Sequence, residues 1–142
     1  MQTPTPWHRI YFAAVGLFAV WVGVIGLAFP SEMHRAIPWA VPPLHARFLG
    51  AMYLAGAAVM FAAFAAKRLW TVRIVLPMSY IWMGTLGIVS FLHLDAFDYG
   101  IRQTWFWFFA YVVYPLAGIW LHWRYGGGTT ASDRPLPGWT TA

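Results

Sequence analysis

The chain has 142 residues, 61% of them hydrophobic and only 9% charged, against about 25% charged in a typical soluble domain, so it lacks the polar surface of a water-soluble fold and has room for one compact unit. The formal net charge is +5, but the basic residues flank apolar runs, which points to orientation in a bilayer and away from nucleic acid. The absence of cysteine excludes disulfides, thiolate metal sites and a cysteine nucleophile.

Residues 1–9 form a short polar lead containing Pro4 and Pro6. The apolar run that follows, residues 10–29, is too long for the hydrophobic region of a cleavable signal peptide, and no A-x-A-like site follows it. It predicts a first transmembrane helix, with Ala19 and Gly23 as a small-xxx-small pair, Gly16 and Gly26 as further small contacts, and Pro30 as its stop. Between residues 31 and 47, Ser31 is placed to cap a short helical turn running to Ile37 and ended by Pro38. Trp39 and the Pro42-Pro43 pair then predict a segment lying along the membrane surface. Residues 48–66 form the second span. Ala58, Ala62 and Ala66 make one small ridge on it and Ala51 with Ala55 another, which predicts close approach of neighbours on more than one side. After the basic turn of Lys67, Arg68 and Arg73, residues 74–94 form the third span, with Pro77 in its first turn. Residues 105–123 form the fourth. Its Trp107, Tyr111, Tyr114, Gly118 and His122 follow one another at helical spacing on one face, which predicts a side packed on protein. Pro115 removes a backbone donor within this span and leaves the Tyr111 carbonyl to find another partner. From residue 126 a Gly-, Thr- and Pro-rich stretch predicts a flexible cytoplasmic tail, with Leu136 and Trp139 as the residues able to dock on another chain.

The expectation is therefore an all-α polytopic membrane protein, four transmembrane helices in an up-down bundle over residues 10–125. Six basic residues (Arg9, Lys67, Arg68, Arg73, Arg124, Arg134) against three (Arg35, Arg47, Arg102) place both termini in the cytoplasm.

Three clusters are candidates for chemistry. His8 with His122, or His45 with His93, could each hold a haem b between helices, whereas His93 and His122 end antiparallel neighbours about 30 Å apart and cannot share one. Gly118 one turn before His122, beside Trp120 and Trp123, resembles the pigment site of bacterial light-harvesting polypeptides, which implies bacteriochlorophyll. His93, Asp95, His34 and His45, with Glu32 and Asp98 nearby, are the candidate metal ligands. For each the plainer reading is structural, an interfacial side chain bonded to water or lipid headgroups, and the leading expectation is no cofactor. No lysine, arginine, aspartate or glutamate lies at the centre of a span, and no nucleophile or phosphate-binding motif is present, which argues against an enzyme or transporter.

Arg47-Phe-Leu-Gly50-Ala-Met-Tyr53-Leu-Ala-Gly56, Ser90-Phe-Leu-His93-Leu-Asp95-Ala-Phe-Asp98 and the Trp-Phe-Trp…Tyr-Pro stretch of the fourth span resemble small bacterial four-helix membrane proteins of DoxX-like outline, over roughly residues 8–125. The resemblance implies a four-helix fold and brings no catalytic residues. The functional expectation is a non-catalytic accessory subunit of a respiratory or photosynthetic complex in the bacterial cytoplasmic membrane, with other membrane subunits and lipids as partners. A haem- or chlorin-binding protein using His122 or His93 is the second reading, and a small DoxX-like enzyme or lipid-binding protein the third.

Overall fold

The structure, a computed structural model, describes residues 3–125; the tail positions Leu136 and Trp139 lie outside the described residues. Four long α-helices follow one another: α1 (Pro6–Ala28), α2 (Pro43–Ala65), α3 (Leu69–Leu92) and α4 (Arg102–Tyr125). Two short 3-10 turns, Pro30–Arg35 and Leu94–Ala96, lie in the α1–α2 and α3–α4 connections. All four helices are long and apolar enough to cross a membrane. The protein is an all-helical bundle with no strand among the described residues. Helices are the outcome expected of such segments, because backbone N–H and C=O groups have no water to bond in hydrocarbon.

The helices extend past the apolar runs. α1 and α2 each begin on a proline, Pro6 and Pro43, whose fixed φ suits the first helical position and whose missing N–H costs nothing there. α1 is further held by the Thr5 N–H, which donates to His8 Nδ1 at 3.3 Å. α3 starts at Leu69, five residues before the start expected at Ile74, so Arg73 is helical and Pro77 lies two turns inside the helix rather than in its first turn.

α1 and α2 form the most extensive pair and α3 and α4 the next, and the two hairpins meet more sparsely through α1–α4 and α2–α3. α1 is the most enclosed helix, with half of its apolar window buried, against 22% for α2. The α1–α2 pair is tight because three glycines meet. A Cβ added at Gly26 would lie 2.5 Å from the Ala46 carbonyl oxygen, and one added at Gly50 would lie 2.5 Å from the Leu27 nitrogen. Backbone thus packs on backbone, as small-residue contacts in membranes permit.

This corrects the expectation for α2. Ala51, Ala55, Ala58 and Ala62 are all exposed, and Ala66 is only half-buried. The inward face is Ala46, Gly50, Ala57, Met60 and Ala63. Both faces of a lipid-embedded helix are apolar, so alanine ridges alone do not reveal which side meets protein.

The α1–α2 connection also differs from expectation. Phe29, not Ser31, occupies the N-cap of the Pro30–Arg35 turn. Met33, Ala36, Ile37 and Pro38 are buried, and Trp39 packs its ring 4.9 Å from that of Trp107 and 5.5 Å from that of Phe97. The segment packs against the bundle, because burying these apolar side chains removes them from water.

Candidate functional site

Inside the bundle, aromatic and hydroxyl side chains from all four helices form a continuous seam. α4 turns Trp107, Tyr111 and Gly118 inward, with Tyr114 half-buried beside them. The Trp107 and Tyr111 rings lie 4.1 Å apart. The Trp107 indole N–H donates to Ser90 Oγ at 2.9 Å, and Ser90 donates in turn to the Leu86 carbonyl at 2.8 Å. The hydroxyls of Tyr53 on α2 and Tyr111 are hydrogen-bonded to each other. Tyr11 on α1 bonds Ser79 on α3 at 2.9 Å, and Ser79 donates to the Leu76 carbonyl at 2.8 Å. Phe18 fills the centre: its ring lies 6.4 Å from Tyr53, 6.2 Å from Tyr111, 6.1 Å from Tyr114 and 5.8 Å from Phe106.

The hydroxyls of Tyr11, Tyr53, Ser79, Ser90 and Tyr111 sit where a polar group in hydrocarbon needs a partner, and each finds one on another helix or on its own backbone. Such bonds contribute about 0.6 kcal/mol on average in membrane proteins and at most about 1.7 kcal/mol. They join the sparsely packed hairpins: Tyr11–Ser79 ties α1 to α3, and Tyr53–Tyr111 ties α2 to α4. The proline in α4 takes part too. Pro115 frees the Tyr111 carbonyl from its helical bond, and that oxygen faces Gly87 of α3, where an added Cβ would come within 2.8 Å of it. Glycine is required at this point because the freed carbonyl occupies the space that any side chain would need.

The candidate cofactor residues are placed differently from one another. His8 is buried within the first turn of α1. Its Nδ1 accepts from the Thr5 N–H, so a neutral ring carries its proton on Nε2 and offers no free lone pair to a metal. Its ring lies 5.5 Å from that of Tyr125. His122 packs edge-on to Tyr80, with ring centres 5.9 Å apart. The space beside Gly118 that a macrocycle would need is taken by Tyr11 and Tyr80, since a Cβ there would lie 2.8 Å from the Tyr11 hydroxyl oxygen and 2.9 Å from Tyr80 Cβ. Gly118 therefore serves helix packing, with Tyr11 and Tyr80 seated against it. His93 is exposed and donates from Nδ1 to the Val89 carbonyl at 2.9 Å; His45 is exposed on α2.

The metal set is not assembled. Among the described residues no three His, Asp or Glu side chains come together as a metal would require, so His93, Asp95, His34 and His45 do not make one site. His34 stands 4.0 Å from Glu32, whose carboxylate is held at 2.7 Å by Arg35. Asp98 is committed to its own loop, accepting from the Gly100 N–H at 2.8 Å, while its carbonyl accepts from Thr104 Oγ1 at 2.5 Å. The Trp105 indole N–H closes the same loop on the Tyr99 carbonyl at 3.0 Å.

Sequence reasoning missed Tyr11, Tyr53 and Ser79 as partners within the bundle. The signal was available, because a serine or tyrosine within an apolar span needs a hydrogen bond, but the sequence does not say which helix supplies it. The chain matches no protein-family model, no curated protein and no solved structure.

Proposed function

We propose that the protein is a non-catalytic accessory subunit of a larger respiratory or photosynthetic complex in the bacterial cytoplasmic membrane, stabilising its assembly through helix packing. The carrying observation is that the hydroxyl and indole groups inside the spans bond one another across helices. The polar chemistry of the interior is engaged in holding the bundle together. The outward alanines of the second half of α2, Ala58 and Ala62, supply a face on which another membrane helix can approach closely. The test is purification from native membranes in a mild detergent. The protein is expected to migrate with other integral membrane subunits, and an Ala58→Trp, Ala62→Trp double variant is expected to migrate alone while keeping its own unfolding temperature. Migration of the wild type only as a free 142-residue chain would overturn the reading.

The proposed orientation has both termini cytoplasmic, supported by the basic residues near Arg9, the Lys67–Arg68 turn and Arg124. Single cysteines are readily introduced into this cysteine-free chain. Ser31→Cys and Ala96→Cys are expected to react with an impermeant thiol reagent in intact cells, and Thr130→Cys only after lysis. Labelling of position 130 in intact cells would reverse the topology.

A further inference from the structure

The first half of α2 carries a shallow apolar trough on the outer surface of the bundle, lined by Leu44, Arg47, Phe48, Ala51, Met52 and Ala55. Leu44, Phe48 and Met52, spaced four apart, raise one wall, and Leu44 and Phe48 are each 71% exposed. Ala51 and Ala55 form the floor because they have no side chain beyond Cβ. Arg47 makes the opposite wall at the end nearest the α1–α2 connection.

The trough has the dimensions and polarity of one lipid. From Leu44 to Ala55 a helix rises about 16 Å, close to the ~15 Å depth of a single leaflet, half of the ~30 Å hydrocarbon core. Its floor is apolar along that length, and its mouth is basic. Arg47 has no ion pair among the described residues, whereas Glu32 in the adjoining connection is already bonded to Arg35 at 2.7 Å. The first turn of α2 has no side-chain cap, so its positive end adds to the same region. An arginine four residues inside a membrane helix extends its stem along apolar surface and brings the guanidinium to the headgroup level. There it meets phosphate with a fork of donors.

We propose that this trough holds an anionic glycerophospholipid, with its phosphate on Arg47 and one acyl chain lying over Ala51 and Ala55. A protein helix suits the trough less well. It would have to accept the unpaired arginine at its buried end, where a lipid phosphate supplies the countercharge. The proposal does not depend on the accessory-subunit reading, whose contact residues Ala58 and Ala62 lie farther along α2.

The test is native mass spectrometry of the full-length, delipidated protein in detergent, titrated separately with palmitoyl-oleoyl phosphatidylglycerol and with phosphatidylcholine of the same chains. The wild type is expected to retain one phosphatidylglycerol, several-fold more tightly than phosphatidylcholine. Arg47→Gln is expected to weaken phosphatidylglycerol by about tenfold, the loss of one charged hydrogen-bonding partner. Ala51→Phe fills the trough and should abolish retention, with Ala55→Phe as an independent second variant. Both alanines are exposed, so unfolding temperatures should not change. Equal retention of the two lipids would overturn the proposal, as would undiminished phosphatidylglycerol binding by Arg47→Gln or by both phenylalanine variants. A second protein, rather than lipid, carried on this face from native membranes would also overturn it.

Discussion

Gly50→Leu is expected to destabilise the protein by about 3 kcal/mol or more, the upper end of what overpacking costs, or to prevent folding. The atoms that a Cβ at position 50 would strike are all backbone: the Leu27 nitrogen at 2.5 Å, the Gly23 carbonyl oxygen at 2.8 Å and the Gly26 carbonyl carbon at 2.8 Å. Backbone cannot rotate aside as a side chain can, so α1 and α2 would have to separate along their most extensive contact. Gly23→Ala should be much milder. Its Cβ meets mainly the Leu54 side chain, at 2.7 Å, which can change rotamer, and alanine gains about 1 kcal/mol of helix propensity over glycine. Ala62→Leu, on the exposed face of α2, should fall within about 0.5 kcal/mol of the wild type. The measurement is reversible unfolding of each variant in bicelles. Equal losses at positions 50 and 62 would show that α1 and α2 do not pack as described.

Trp107→Ala should cost about 3–5 kcal/mol, as expected for removing a buried large aromatic. Trp107 is 3% exposed, and its ring is shared between Trp39 of the connection and Tyr111 of its own helix. Truncation leaves a cavity beside Trp39, whose remaining ring contact is Phe97 of the α3–α4 connection. Trp107→Phe separates volume from hydrogen bonding. It keeps most of the ring and loses only the bond to Ser90 Oγ, which still has the Leu86 carbonyl as acceptor; about 1 kcal/mol is expected. Ser90→Ala should cost a similar amount by leaving the indole N–H without its acceptor. If the bond is the coupling between them, the double variant should lose less than the sum of the two singles. Trp123, 82% exposed on the same helix, is the control. A Trp107→Ala loss no larger than that of Trp123→Ala would remove Trp107 from the core.

The two effects differ in kind. Gly50 matters for what it lacks, and its substitution should weaken one hairpin. Trp107 matters for what it fills, and its loss should loosen the end of the bundle where the α1–α2 connection folds against α4. The hydroxyl bonds Tyr11–Ser79 and Tyr53–Tyr111 then hold the hairpins to each other where apolar contact is sparse.

The amino-acid sequence by itself determined the number and kind of elements. Long runs with few charges must bond their backbones internally in hydrocarbon, and among such segments only helices do so alone. Spacing along α4 was also enough to single out Trp107, Tyr111 and Gly118, which the structure buries, because they recur at helical spacing on one face of the span. α2 offered no such contrast. In water a core face is apolar and the other polar, whereas in a bilayer lipid and protein favour apolar side chains alike, so the periodicity that reveals orientation is erased. The tertiary structure decided that Ala46 and Gly50, not the alanine ridge through Ala58 and Ala62, meet α1. It also decided that the space beside Gly118 belongs to Tyr11 and Tyr80, and that His8 turns its ring nitrogen to Thr5. Apart from His8, these outcomes depend on how closely two backbones approach across tens of residues of intervening chain, a distance set by packing that no local pattern of residues records.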